Sequence, residues 1–409
     1  MRLLHTADWH IGHKFWGTGR VREHEHFLKW LLQQTHSYRP DAFLVVGDVF
    51  NGAGLLPEEE RVFWDFMTQL TQDNPQMRVI MSAGNHDNAR YMESSLPVFH
   101  RIGVQVRYQI PVNGRWETDF EELCIPVNAV DHPAEQALVL AIPADRNLVS
   151  DGQAYGTLMR DAAKRFPGMP LVVMAHVLAK GSRIPLTGKD DYIAENGDNI
   201  VDFTSLSSKV SYMALGHIHQ AQEVAGKSNV WYAGSPLSLA FSERDYSHGI
   251  NIVDLGQDGS VNVRMVEYEP LRKLLTIPSD AGGSFREVMS QLSSFEKKSS
   301  GDDTALYPYV EIKMREAEIS PEMLEQLQTE LEGRRIKVCR MEKVMPEETL
   351  KACYADLTPD DLQRLIPGAM VREMYSQLYN GEMPEEIARM LAEVKRTCEK
   401  AERLYQGRV

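Results

Sequence analysis

Only four cysteines occur in 409 residues, Cys124, Cys339, Cys353 and Cys398, and no two stand close enough for a CxxC pair. Neither a zinc knuckle nor a disulfide framework is indicated, and reduced, buried or incidental thiols are expected. No run of about 18 apolar residues is present, so no membrane-spanning helix is expected. The opening residues, MRLLHTADWHIG, reach His5 and Asp8 too soon to supply the apolar core of a signal peptide. A cytoplasmic protein is the expectation. Internal repeats and low-complexity segments are also missing. Positive charge is the last shortage: 44 Lys plus Arg stand against 58 Asp plus Glu, a formal net charge of −14. Nucleic-acid binding draws on Lys and Arg that displace counterions from phosphate, so this balance alone argues against such a partner.

What is present is a globular composition, 43% hydrophobic and 25% charged. At roughly 100–200 residues per domain, two to four domains are expected. Through the first two-thirds, short β-branched or Leu-rich runs alternate with amphipathic helical patterns, the signal of a layered α/β domain. Strands are predicted at 3–7, 42–46, 78–82, 104–109, 137–142, 171–175, 212–215, 230–233, 250–254 and 261–267. Helices are predicted at 21–35, 58–71, 93–101 and 155–166. Gln257-Asp258-Gly259 marks a hairpin near the end of this domain.

Near residue 270 the pattern resets. Ser284 and Glu287 form a capping box ahead of an apolar helical face. Val310, Ile312 and Met314 alternate with charged residues as in a half-buried strand. Ser320-Pro321 opens a further helix, Gly333 closes it, and 334–344 reads as a strand, so the segment is βαβαβ. From Glu347 onward helix formers dominate, and Ile387, Leu391, Val394, Cys398, Ala401 and Leu404 make one stripe. Such a stripe reads first as core and second as a partner-binding helix. The boundaries expected are thus 1–270, 271–345 and 346–409.

Five polar clusters fall where predicted strands end: Asp8-Trp9-His10, Gly47-Asp48, Gly84-Asn85-His86-Asp87, His176, and Gly216-His217-Ile218-His219. Ligand sites of open α/β sheets gather at strand carboxyl ends. A lone histidine at such a place is usually structural. Seven residues of mixed oxygen and nitrogen donors are another matter: Asp8, His10, Asp48, Asn85, His176, His217 and His219 suit borderline divalent metals such as manganese, iron or zinc. They exceed one tetrahedral site and suffice for two ions if a carboxylate bridges.

The ordered set D-x-H, G-D, G-N-H-D, H, G-H-x-H resembles that of the calcineurin-like metallophosphoesterases. Asp8-Trp9-His10-Ile11-Gly12, the Arg22/Glu23 region, Gly47-Asp48-Val49-Phe50 and the Gln220 that follows the last motif narrow the resemblance to their nuclease members. It is strong to about residue 270 and rests beyond that on architecture. The resemblance implies a sandwich of two β-sheets flanked by helices, followed by a small α+β capping domain and C-terminal helices that grip an SMC-type coiled-coil ATPase. It implies a DNA nuclease of double-strand-break processing, acting from 3′ ends or at hairpins. Two metal ions, usually manganese, would be held by Asp8, His10, Asp48 and His219 and by Asp48, Asn85, His176 and His217. His86 would stabilise the transition state or protonate the leaving oxygen, oriented by Asn51 or, failing that, Asp87. Asn51 stands where relatives carry Asp or His, and a neutral amide cannot raise the histidine's pKa as a carboxylate would. The resemblance further implies a homodimer formed near 90–101. The alternative within the family is a phosphoesterase acting on nucleotides or phosphoproteins, but those that act on phosphoproteins usually read G-D-x-x-D-R-G and G-N-H-E.

Three further features have two readings each. Trp9, Phe15 and Trp16 are core residues or stack on unpaired bases. Gly234-Ser235-Pro236 is a structural turn or an element near the site. Arg334, Arg335, Lys337, Arg340 and Lys343, the densest basic cluster, are solvated strand surface or face DNA. Residues 1–270 hold 23 Lys plus Arg against 33 Asp plus Glu, a net of −10, and residues 271–409 hold 21 against 25, a net of −4.

Overall fold

The computed structural model describes residues 1–344 apart from 53, 146–147, 149–152, 184–199, 204–209 and 316–319, together with residues 375, 384 and 387. Two compact units are distinguished, Met1–Lys343 and Val344–Val409. The expected C-terminal helices and their apolar stripe lie outside the described residues, Ile387 excepted. Among the described residues no helix is long and apolar enough to cross a membrane.

The strands, in chain order, are β1 (Arg2–Thr6), β2 (Lys14–Phe15), β3 (Thr18–Gly19), β4 (Ala42–Val46), β5 (Arg78–Ser82), β6 (Val104–Arg107), β7 (Cys124–Asn128), β8 (Gln136–Ile142), β9 (Leu171–His176), β10 (Tyr212–Gly216), β11 (Gln222–Val224), β12 (Lys227–Tyr232), β13 (Gly249–Leu255), β14 (Val261–Glu267), β15 (Leu274–Ile277), β16 (Tyr309–Met314) and β17 (Lys337–Lys343). The helices are α1 (Val21–Tyr38), α2 (Pro57–Asp73), α3 (Ala89–Arg101), α4 (Phe120–Leu123), α5 (Ala154–Arg165), α6 (Phe285–Ser294) and α7 (Pro321–Gly333).

Two six-stranded sheets stack face to face. The first runs β14-β13-β1-β4-β5-β6 and the second β11-β12-β10-β9-β8-β7. Their central strands are parallel and buried on both faces, which is why Ala42–Val46 and Leu171–His176 read as unbroken apolar runs rather than alternating ones. Leu3, Leu44, Val46 and Ile80 of the first sheet meet Val139, Val172, Met174 and Ala214 of the second in a common core. On the outer face of the first sheet, α1 and α2 bury Phe27, Leu31, Phe63 and Phe66. Tyr155, Met159 and Ala162 of α5 cover the second sheet. The result is a helix-sheet-sheet-helix sandwich, as expected. The Gln257-Asp258-Gly259 turn joins the antiparallel pair β13 and β14.

The short elements β2, β3, β7, β11 and α4 and the start of α3 escaped the sequence reading. Strand β7 contains Pro126, tolerated because β7 is the edge of its sheet. Helix α3 starts four residues earlier than predicted because the Asn88 side chain accepts from the Tyr91 N–H and caps it.

Beyond the sandwich, β15, β16 and β17 form a parallel sheet with α6 and α7 as crossovers. Its own core comprises Ile277, Val288, Leu292, Val310, Ile312, Leu327 and Ile336. The Ser284 capping box is present: its hydroxyl accepts from Glu287 N–H, and the Glu287 carboxylate accepts from Ser284 N–H at 2.7 Å. This sheet is seated against the first motif's surroundings. Phe15, Phe241 and Tyr309 form a buried aromatic cluster, Arg22 pairs with Asp303 at 2.7 Å, and the Arg340 guanidinium lies 5.1 Å from the Trp16 ring centroid.

Candidate metal centre

All five clusters emerge from the carboxyl ends of neighbouring parallel strands. β1, β4 and β5 of the first sheet deliver Asp8 and His10, Asp48, and Asn85 to Asp87. β9 and β10 of the second sheet deliver His176, then His217 and His219. Asp8, His10, Asp48, His176 and His219 are buried, whereas Asn85 is exposed and His86 and His217 are partly so. The cluster therefore has a closed floor and an open side at Asn85, His86 and His217.

The backbone is held in uncommon conformations to achieve this. Asp8, His10, Asp48 and His217 all have positive φ, at 54, 46, 50 and 99°. Non-glycine residues seldom adopt such values, and their gathering in one place is the pattern of strain stored at a functional site. Gly47, at φ 77°, continues the turn, and a Cβ on it would overlap the His176 ring. A Cβ on Gly84 would overlap the Asp48 carboxylate.

Donor atoms converge in two groups. One ligand atom each from Asp8, His10 and His219 lies within 4.8 Å of the others, and the same holds for Asp8, Asp48 and His176. Asp48 Oδ2 is 3.1 Å from His176 Nε2 and 3.6 Å from His10 Nε2, so it stands between the two groups. Asn85 Oδ1 is 3.1 Å from both His176 Nε2 and His217 Nδ1. The rings are oriented from behind: His176 Nδ1 donates to the Val46 carbonyl at 3.0 Å, and His219 Nδ1 lies 2.7 Å from Glu243 Oε1. Backbone N–H groups steady the carboxylates, that of His217 donating to Asp8 at 3.0 Å and that of His86 to Asp48 Oδ1 at 2.8 Å.

The electrostatics fit a cation. Burial pushes Asp8 up to about 6 against the pull of His176. Burial would also raise Asp48, but His176 outweighs it and holds the carboxyl well below its usual range. His176 is raised to about 10, burial being overcome by Asp48 and Asp8, and His219 to about 9, burial being overcome by Glu243. Burial lowers His10 strongly and His217 to about 3, His176 adding to the latter. His10 Nε2 is buried with no hydrogen-bond partner, beside two carboxylates. A buried ring nitrogen without a hydrogen bond, set beside carboxylates, has the donor chemistry that suits a divalent metal.

The remaining predicted residues fall as follows. The His86 ring is 5.0 Å from that of His10, centroid to centroid. Asn51 Oδ1 lies 3.2 Å from His10 Nδ1, so the observed bond of Asn51 is to a ligand-set histidine. The Asp87 carboxylate accepts from the N–H groups of Gly84 at 2.8 Å, Phe50 at 2.9 Å and Val49 at 3.3 Å, tying the second and third motifs together. Trp9 and Phe15 are wholly buried, which settles them as core; Trp16 is 43% exposed under Arg340. Ser235 N–H donates to the His219 carbonyl at 3.0 Å, so Gly234-Ser235-Pro236 supports the last motif directly. The basic cluster is largely neutralised: Arg334 pairs with Glu330, Arg335 with Asp302 and Glu296, and Arg340 with Glu311 and Glu342. Lys337 and Lys343 are exposed. Glu243 is not foreshadowed by the sequence, because nothing in its local surroundings distinguishes it from a surface carboxylate.

This arrangement defines a two-sheet phosphoesterase with a centre for divalent metal ions, and comparison with known proteins agrees. The calcineurin-like phosphoesterase family matches residues 1–221. The chain is 28% identical over 389 residues to the D component of the SbcCD nuclease of Rhodobacter capsulatus, covering 90% of this chain and 93% of that protein. It is 30% identical over 309 residues to the D component of the SbcCD nuclease of Escherichia coli strain K12, covering 72% and 74%. The Bacillus subtilis protein of the same name is 30% identical over 263 residues, covering 62% and 66%. The chain belongs to the calcineurin-like phosphoesterase family, in the branch of the SbcCD nuclease D components, and is a hydrolase of phosphodiesters.

Proposed function

We propose that this chain is the nuclease component of an SbcCD-type complex that processes DNA ends and hairpins, working with an SMC-type coiled-coil ATPase; its relatives are themselves named as parts of the SbcCD nuclease. The observation that carries the reading is the buried His10 Nε2, left without a hydrogen bond among Asp8, Asp48 and His219. In this reading Asp8, His10, Asp48 and His219 hold one ion, and Asp48, Asn85, His176 and His217 the other. Manganese suits a set of carboxylate, amide and imidazole donors without thiolate. When bound, the ions neutralise phosphate charge and make a water acidic enough to attack.

The residues of the chain do the rest. The floor of the site excludes bulk water from the buried carboxylates, and the open side at Asn85, His86 and His217 admits the phosphodiester. His86 gives a proton to the oxygen that leaves as water attacks phosphorus. Its position is set by the backbone bond from its N–H to Asp48. Asn51 and Asp87 act on it indirectly, Asn51 through His10 and Asp87 by bracing the loop that carries it. Residues 1–270 are read as the nuclease domain, 271–345 as the capping domain and 346–409 as the partner-binding tail, in a cytoplasmic, nucleoid-associated homodimer paired through α3. Lys337, exposed on β17, is the candidate for DNA contact in the basic cluster.

The test is cleavage of duplex and hairpin DNA by the wild type and by His86→Asn, with metal content measured alongside. Manganese-stimulated cleavage that His86→Asn abolishes at unchanged metal occupancy is expected. Hydrolysis of phosphoproteins or nucleotides without DNA cleavage would replace the nuclease reading. Loss of metal in His86→Asn would make His86 a ligand.

A further inference from the structure

His219 is held by a residue that belongs to none of the five motifs. Glu243 closes the 3-10 turn Phe241–Glu243 and is buried, as is His219. Its Oε1 is 2.7 Å from His219 Nδ1, and its Oε2 accepts the Leu239 N–H at 2.6 Å. A carboxylate only accepts, so Nδ1 carries the hydrogen and the lone pair is left on Nε2. With one oxygen on the backbone and the other on the ring, Glu243 has little freedom to release the imidazole.

The turn itself is clamped from the other side. Phe241 packs 5.2 Å from Phe15, centroid to centroid, and Phe15 4.8 Å from Tyr309 of β16, all three buried. Arg244, the next residue, pairs with Asp280 and donates to Thr276 Oγ1 at 3.1 Å. The three-stranded sheet thus grips the segment that orients a residue of the metal cluster.

We propose that Glu243 is a positioning residue that fixes the tautomer and ring plane of His219, and that the β15-β16-β17 sheet braces it through Phe241 and Arg244. The seating of that sheet then sets how well His219 serves as a ligand. The proposal rests on the reading of His219 as a metal ligand. Outer carboxylates that accept from a ligand histidine characteristically govern metal affinity by about 10- to 100-fold.

The experiment uses the full chain, stripped of metal and titrated with manganese by equilibrium dialysis, and with cobalt followed by visible absorption. His219→Ala should lose one of two ions. Glu243→Ala should bind that ion about 10- to 100-fold more weakly with the other unchanged, and shift the cobalt spectrum. Glu243→Gln, which keeps an oxygen acceptor, should recover part of the affinity, and Arg244→Ala should fall between wild type and Glu243→Ala. Glu243→Gln decides the matter alone if Glu243→Ala does not fold. Loss of an ion in His219→Ala with wild-type binding in both Glu243 variants overturns the positioning role and leaves the ligand reading intact. Two ions in His219→Ala overturn both. Wild-type binding by Arg244→Ala overturns the brace.

Discussion

Tyr309 places its hydroxyl 2.7 Å from Glu23 Oε1, joining β16 to the first helix between residues 286 positions apart. The other oxygen of Glu23 accepts from Arg20 at 2.7 and 3.1 Å, and Arg20 donates onward to the Ser238 carbonyl at 2.6 Å. All of this is buried.

Glu23→Gln should be costly, because it leaves the Arg20 charge buried without its counter-ion; about 3–5 kcal/mol is expected from urea unfolding at neutral pH. Burial would raise the Glu23 carboxyl, but Arg20 and the Tyr309 hydroxyl hold it below its ordinary 4.5. A depressed folded pKa gives stability that is complete above the unfolded value and lost as pH falls through the folded one. The gap between wild type and Glu23→Gln should therefore be widest near neutrality and narrow below pH 4.5. A gap constant down to the acid transition would refute this account.

Trp9 is wholly buried, edge-on to Phe66 at 5.7 Å and Phe27 at 6.2 Å, with its indole N–H donating to Thr6 Oγ1 at 2.8 Å. Trp9→Ala should cost about 3–5 kcal/mol in denaturant unfolding. Base stacking would instead show as weaker DNA binding with unchanged stability.

Gly84 has no room for a side chain, since a Cβ would overlap both the Asp48 carboxylate and its backbone nitrogen. Gly84→Ala should fold, because the conflict is local, but it should lose metal affinity and with it most turnover. Dialysis and cleavage assays on the same preparation check this; retention of both would show that the loop relaxes freely.

Metal removal should lower the melting temperature as well as activity. An ion present at about 100 times its dissociation constant stabilises the folded state by about 2.7 kcal/mol, and the effect is reversible. In His10→Ala the metal-induced rise in melting temperature should shrink, as the orphaned Nε2 is gone. An undiminished rise would place the ions elsewhere.

DNA binding by the chain alone should be weak and fall steeply between about 50 and 200 mM salt. Because Arg334 and Arg335 are already paired with Glu330, Asp302 and Glu296, their replacement by alanine should change affinity little, whereas Lys337→Ala should reduce the salt slope. Tight, salt-insensitive binding would contradict both expectations.

Much of the sandwich was legible because its signals are local. Parallel strands buried on both faces are continuous apolar runs, and helices between them carry one apolar stripe. The motif residues were legible for a related reason: each follows directly on a strand, so chain order maps onto the carboxyl edge of a sheet. Pro126 hid an edge strand, and Asn88 concealed the start of α3, since both depend on what the neighbouring backbone does.

The amino-acid sequence by itself determined that oxygen and nitrogen donors would lie at strand ends, because donor type and spacing along the chain are local properties. Only the tertiary structure decided which of them share a pocket, that Asp48 stands between His10 and His176, that Asp87 braces loops, and that Glu243 lies behind His219. It also decided the fate of the basic cluster, whose arginines look cationic in the sequence and are paired in the fold. Charge and hydrogen-bond partners act over a few ångströms in space, and those separations are set by how two sheets and a small third one pack, which no stretch of chain records.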